Sequence, residues 1–275
     1  MYTIIQSDDY KKLEKYIDKK TLVQMQSSRH VCYEFNTGYL ISFRYYNADT
    51  PSKKDDNIFI YMKGDNLVFV TENSYITELI SAINKDSNAP QQLFDFFALL
   101  TASDIYKLEE FEDKITTIEN HLLTEKKLNT ENLKRIMGLR NELLKIKRYY
   151  EQLGMIIDDL CENRYGVFDK DITSYFVAIG RRGDKLLDSV LHLREYITQV
   201  REAYQAQIDI EQNNIMRIFT VITTIFLPLT LIVGWYGMNL KMPEFSWDFG
   251  YPIVIGLSVF VCLLSCIIFK IKKWF

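Results

Sequence analysis

The run from Ile218 to Leu240 carries no charged residue, and no other stretch of the chain limits the possible folds so strongly. A helix needs about 20 apolar residues to cross the hydrocarbon core of a bilayer, and this run meets that requirement. It is not uniformly apolar. Thr220, Thr223, Thr224 and Thr230 interrupt it, Pro228 lies in its middle, and Gly237-Met238-Asn239 closes it. A helix that only anchors needs neither a hydroxyl stripe nor an amide at its mouth. A second charge-free run extends from Phe249 to Phe269, followed by Lys270-Ile271-Lys272-Lys273-Trp274-Phe275. Two spans joined by a short loop place their outer flanks on one side of the bilayer. Arg217, Lys270, Lys272 and Lys273 mark that side, whereas the loop has Lys241 as its only base beside Glu244 and Asp248. The positive-inside rule therefore predicts a multi-pass protein of the cell (inner or plasma) membrane with both termini cytoplasmic. Trp235, Tyr236, Trp247 and Tyr251 stand where an interfacial aromatic belt would lie.

The remainder must contain a large water-facing part, because hydrophobic residues make up only 48% of the chain. A net charge of -3 offers no clustered basic face for nucleic acid. Cys32, Cys161, Cys262 and Cys266 have no paired spacing outside the last apolar run, so a reduced compartment is expected and a disulfide framework is not. Cys262 and Cys266 read as packing residues within the second span. The opening MYTIIQSDDYKKLEKY lacks the basic-then-apolar order of a secretory signal, and most of the protein is expected to stay on the side where it is made.

In chain order, residues 1–90 read as an α/β domain. Asp8 to Lys20 has a short amphipathic period. Val31 to Phe35 and Tyr39 to Tyr45 form one predicted hairpin around Asn36-Thr37-Gly38, and Asn57 to Met62 pairs with Asn66 to Thr71 around Lys63-Gly64-Asp65. Tyr75 to Ile83 looks helical, and Pro90 is read as a break before a helix beginning near Gln91. Residues 91–168 are a helical region in which Leu93, Phe96, Phe97, Leu100, Ile105, Leu108, Phe111, Ile115, Ile118 and Leu122 keep one period, with a break at Asn129-Thr130 and a second long helix after it. The dense Glu/Lys mixture there is most simply a solvated face. Residues 169–216 are a predicted stalk helix continuing into a first span at 217–239, then an external loop at 240–250, a second span at 251–269 and a basic tail at 270–275. The fold class expected is thus an α+β cytoplasmic domain with a long helical stalk and two transmembrane helices. A helix of about 65 residues would be roughly 100 Å long at 1.5 Å per residue. Its apolar stripe is too long for one copy to bury, so self-association around an axis is expected.

Stepping back from Gly234 at three- and four-residue intervals meets Thr230, Leu227, Thr223, Thr220, Met216 and Asn213. Two readings fit this face equally. In one, the threonines bond their own backbone and Gly234 permits close helix packing. In the other, several copies make a narrow, uncharged, hydroxyl-lined pore. An uncharged wall suits Mg²⁺, which gives up its water reluctantly. Asn239 at the outer mouth would then act on the metal through its hydration shell, and Leu227 and Met216 would be apolar constrictions. Zn²⁺ or copper would call for His, Cys or several carboxylates in the path, yet His30, His121 and His192 are scattered and lie in neither span. No nucleophile–base set and no Gly-rich phosphate loop appears, so an enzyme is not expected and no bound cofactor is implied.

Tyr236-Gly237-Met238-Asn239, Met242-Pro243-Glu244, Gly250-Tyr251-Pro252, the upstream Thr224-Ile225-Phe226-Leu227-Pro228-Leu229-Thr230 and the terminal Lys272-Lys273-Trp274 together resemble the CorA family of magnesium and cobalt channels. The likeness is contiguous through both spans, looser through the helices and only architectural in the α/β domain. It implies a homopentameric, funnel-shaped divalent-cation channel for Mg²⁺, with Co²⁺ and Ni²⁺ as further candidates. It also implies a selectivity site at Gly237, Met238 and Asn239, with Glu244 drawing cations to the mouth. Asn213, Met216, Thr220 or its neighbour Phe219, Leu227, Thr230 and Gly234 would face the pore. The alternatives are a proton-coupled Zn²⁺ transporter of the ZntB type, a relative of the same architecture, and a non-conducting membrane-anchored scaffold or sensor. Family members closed by internal Mg²⁺ carry an acid just after an aromatic pair near the start of the stalk. Here that stretch is Tyr175-Phe176-Val177-Ala178 followed by Arg181-Arg182, with no acid at either position after the pair. Weak or absent closure by cytoplasmic Mg²⁺ through that site is the expectation.

Overall fold

Strands rich in Ile, Val, Phe and Tyr form the first layer of the structure, a computed structural model that describes residues 2–5, 31–35, 38–46, 56–124, 130–238 and 249–272. The strands are β1 (Tyr2–Ile5), β2 (Val31–Phe35), β3 (Gly38–Tyr45), β4 (Asp56–Lys63) and β5 (Asn66–Val70). They form one sheet in the order β1-β5-β4-β3-β2, with β1 parallel to β5 and every other pair antiparallel. Gly64, at φ 56°, makes the β4–β5 turn in the left-handed region that glycine adopts without a Cβ penalty. Gly38 meets a different constraint. A Cβ there would lie 1.8 Å from the carbonyl oxygen of Met62, so only glycine lets β3 begin against β4.

The three central strands are buried on both faces, which explains why they read as nearly continuous apolar runs. Ile41, Phe43, Ile58, Ile60, Met62 and Phe69 share one face by register. The helix α2 (Ala89–Leu100) packs there, with Phe96 5.0 Å from Phe69 and Phe97 6.2 Å from Phe43 between ring centroids. Ile5, Leu40, Phe59, Tyr61, Val68 and Val70 form a second buried cluster on the opposite face.

Before α2 comes α1 (Ser74–Ser81), capped by Asn73, whose Oδ1 accepts the Ile76 N–H at 3.1 Å. Asn88 caps α2 in the same way through the Gln91 N–H at 2.9 Å. Pro90 is inside the first turn of α2 rather than ahead of it, because a residue there has no helical acceptor to lose. The long period from Leu93 to Leu122 is divided between α2 and α3 (Asp104–Thr124). The break falls at Thr101-Ala102-Ser103, where Thr101 caps α2, its N–H still reaching the Phe97 carbonyl at 3.3 Å while the Ala102 N–H turns to Leu99 at 3.2 Å. Next comes α4 (Thr130–Glu162), which lies against β2 and β3. The amphipathic stretch expected at Asp8 to Lys20 and the turn at Asn36-Thr37 lie outside the described residues.

The helix α5 runs from Lys170 to Tyr236 without a break, through Gly180, Gly183 and Pro228. Asp169 caps it, Oδ1 accepting the Ile172 N–H at 2.9 Å. The last helix is α6 (Gly250–Ile271). The chain divides into two compact units, residues 1–202 and 203–275, with α5 contributing to both. In the first unit α5 buries Phe176 against Phe94, Phe97 and Phe168. In the second, α5 and α6 each contain a segment long and apolar enough to cross a membrane, with mean hydropathy 2.1 and 2.7.

Candidate functional site

The partly shielded positions of the two apolar helices make two matched rows. On α5 they include Val221, Ile225, Pro228, Ile232 and Tyr236; on α6 they include Phe269, Ser265, Cys262, Ser258 and Val254. Cys262 and Cys266 carry free thiols and lie among the partly shielded positions of α6.

The hydroxyl stripe lies on the other side of α5. Asn213, Met216, Thr220, Thr223, Leu227, Thr230 and Gly234 are all exposed. At 3.6 residues per turn they fall within an arc of about 100°, centred roughly 160° from the shielded row. Phe219, exposed as well, borders that arc. Thr223, Leu227, Thr230 and Gly234 line a shallow groove rimmed by Phe226 and Trp235. A Cβ at Gly234 would meet nothing within 4 Å, so close packing inside this chain does not account for that glycine.

Each threonine hydroxyl in the apolar part of α5 donates to a carbonyl four residues back: Thr220 to Met216 at 2.8 Å, Thr223 to Phe219 at 2.8 Å, Thr224 to Thr220 at 2.7 Å and Thr230 to Phe226 at 2.8 Å. The local bonding expected of packed membrane helices is therefore present. It leaves each hydroxyl oxygen with lone pairs for an outside partner and no free proton. Pro228 has no N–H for the Thr224 carbonyl, so one backbone acceptor loses its usual donor in mid-span.

At the end of the stripe the Gly237 N–H still reaches the Val233 carbonyl at 2.8 Å, and the Met238 N–H turns to Trp235 at 3.3 Å. A Cβ at Gly237 would come 2.9 Å from the Val233 oxygen, so the exit from the helix is tight. Asn239 and Glu244 lie outside the described residues. The structure thus brings the seven stripe residues onto one face with Gly237 and Met238 at its end. Among the described residues no group of three or more His, Cys, Asp or Glu side chains is placed to hold a metal ion.

In the first unit, Phe176 is fully buried while Val177 and Ala178 beside it are exposed and uncharged. A second feature there escaped the sequence reading. Asn163 adopts φ 43° between α4 and α5, and its side chain brackets Phe168, donating to its carbonyl at 2.8 Å and accepting its N–H at 3.0 Å. Tyr39 of β3 stacks on Phe168 with ring centroids 4.8 Å apart, and burial pushes the Tyr39 phenol up, helped by the charge of Glu34. Glu34, Cys32 and Asp159 meet at the edge of the sheet; burial, then Asp159, raises the Cys32 thiol. An acid within the β-rich run Val31–Phe35 is the one sequence signal that could have marked this corner.

Comparison with known proteins places this geometry. A family profile described as CorA-like Mg²⁺ transporter protein matches residues 5–273. The cobalt/magnesium transport protein CorA of Thermotoga maritima is 27% identical over 193 residues, a match covering 70% of this chain and 54% of that protein's length. The magnesium transport protein CorA of Campylobacter jejuni is 26% identical over 263 residues, covering 88% and 79%. The complete structure of the CorA magnesium transporter from Methanocaldococcus jannaschii superposes with a TM-score of 0.83 at 22% identity, covering 100% of this chain and 91% of that one. A sheet domain, one long helix and two apolar helices are common to both folds. The match over nearly the whole length shows that this chain belongs to the CorA-like Mg²⁺ transporter family.

Proposed function

We propose that this chain is one subunit of a homopentameric membrane channel that passes Mg²⁺ largely in its hydration shell, with the sheet domain and both termini in the cytoplasm. The carrying observation is the placement of the stripe. Its seven residues face away from the shielded row of α5, and its hydroxyl donors are engaged within the helix. Apart from the Asn213 amide, such a face offers oxygen lone pairs and hydrocarbon, and it accepts hydrogen bonds from the water around a cation. It also lacks the charge that would strip that water.

In this reading Asn213, Met216, Thr220, Thr223, Leu227, Thr230 and Gly234 line the path, with Phe219 at its edge. Leu227 and Met216 are the apolar constrictions. Gly237, Met238 and Asn239 form the outer selectivity site, with Asn239 acting through the hydration shell, and Glu244 raises the local cation concentration. Co²⁺ and Ni²⁺, whose hydrated ions are of similar size, are the other candidate cargoes.

The test is flux into sealed vesicles containing the purified full-length protein. Mg²⁺ entry that cobalt(III) hexaammine blocks is expected, because that ion mimics a hydrated cation whose shell cannot exchange. Asn239→Ala is expected to lower entry at least tenfold, a loss of about 1.4 kcal/mol in the barrier. Zn²⁺ entry that depends on a proton gradient, or no divalent flux at all, would defeat the proposal.

A further inference from the structure

The start of α5 is held to the sheet by a contact that the proposed conduction path does not use. Glu34, half-buried on the edge strand β2, accepts the Arg164 N–H on Oε2 and the Tyr165 N–H on Oε1, both at 2.8 Å, across 130 residues of sequence. Successive backbone N–H groups converging on one carboxylate form an anion nest. The left-handed residues Asn163 and Gly166, at φ 43° and 65°, shape it on either side. The Arg164 guanidinium is bonded elsewhere, its Nε donating to Glu162 at 2.6 Å, and adds only its charge near Glu34. Beyond the nest the Phe168 backbone is fixed by Asn163 and the first turn of α5 by Asp169. Only Gly166 to Asp169 separate the clamped amides from the first residue of the helix, so the joint has little slack.

We propose that Glu34 is a positioning residue for ion conduction, its seated carboxylate setting the height and rotation at which α5 leaves the sheet. This inference rests on the channel reading above. The helix is continuous from Lys170 to Tyr236, so the element whose start is clamped is also the one that bears the stripe. The stripe spans an arc of only about 100°, and a turn of a few tens of degrees takes Leu227 and Thr230 off a common axis.

The experiment uses the full-length protein in vesicles, with Glu34→Ala, Glu34→Gln and Glu34→Asp. Glu34→Ala is expected to lower the maximal Mg²⁺ flux about tenfold while leaving the half-saturating Mg²⁺ concentration and the hexaammine block unchanged. Glu34→Gln is expected to fall between Ala and wild type, because its carboxamide oxygen can accept one amide and its NH₂ opposes the other. Formate, small enough to enter the emptied nest, is expected to raise Glu34→Ala flux and leave wild type unaffected, a rescue that a general folding defect would not show. In the same samples, hydrogen exchange at the Arg164 and Tyr165 amides is expected to quicken about tenfold in Glu34→Ala. Unchanged exchange at those amides overturns the nest. Faster exchange with wild-type flux in both Ala and Gln variants overturns the positioning role alone. A wild-type protein that carries no Mg²⁺ overturns the channel reading and this inference with it.

Discussion

The sheet domain and the paired apolar helices are both rich in large hydrocarbon side chains, yet they treat water in opposite ways. Ile41, Phe43, Ile58, Ile60 and Phe69 are wholly buried by their own chain, whereas Leu227 is 64% exposed, Val233 67% and Tyr251 79%. The first region excludes water by itself, through strand pairing and the Phe96–Phe97 wedge of α2. The second shields only one row of each helix and leaves the remaining faces to lipid and, in the proposed assembly, to further copies. Exposed hydrocarbon therefore means something different in the two units. In a water-facing domain it would mark a docking surface; on a span it is the ordinary contact with the bilayer.

The contrast is broken or sharpened most strongly by removing one large ring from each side. Phe97→Ala is expected to cost about 3–5 kcal/mol of sheet-domain stability, the range for emptying a fully buried phenyl site. Phe226→Ala, at a position 61% exposed, is expected to leave it unchanged. Hydrogen exchange at the β4 amides in the full-length protein reports both, and an equal loss would show that the domain leans on the spans. A smaller effect is expected at the surface of α5 near its start. Flux by wild type is expected to be nearly insensitive to low millimolar internal Mg²⁺, because Val177 and Ala178 present no acid. Closure by internal Mg²⁺ that Ala178→Asp leaves unaltered would refute that expectation.

The smallest effect concerns charge at the sheet edge. Burial, and then repulsion from Glu162, raises the Asp159 carboxyl above its ordinary value. The folded chain then holds the proton more tightly than the unfolded one. The stabilising contribution is full below the unfolded value and is lost as pH rises through the folded one. Asp159→Asn is expected to gain under about 1 kcal/mol near neutral pH, given its partial exposure, and nothing once the solution is acidic enough to protonate the aspartate. Urea unfolding at the two pH values checks the sign.

Much of this was legible in the sequence for a physical reason. Apolar runs beside turn residues and a 3.6-residue period both record burial, so β3, β4 and β5 could be read from the former and the course of α5 from the latter. The same holds for the stripe, where seven residues at three- and four-residue steps must share a face. The break at Thr101-Ala102-Ser103 was not legible, because the apolar period continues across it and no Gly or Pro marks it. Nor was Pro90, whose place inside α2 depends on Asn88 capping just ahead of it. Glu34 was hidden for another reason. Its partners are two main-chain amides on the far side of 130 residues, and no side-chain pattern records a backbone donor.

The back-bonded threonines of α5 have a consequence for what the proposed path would refuse. A hydroxyl whose hydrogen is held by a carbonyl four residues earlier can take a hydrogen bond but cannot hand one on. Water beside such a wall turns its hydrogens outward, across the axis instead of along it. A file of water oriented that way is a poor relay for hopping protons, so the three bonds on the stripe, at Thr220, Thr223 and Thr230, would also keep acid from following the metal.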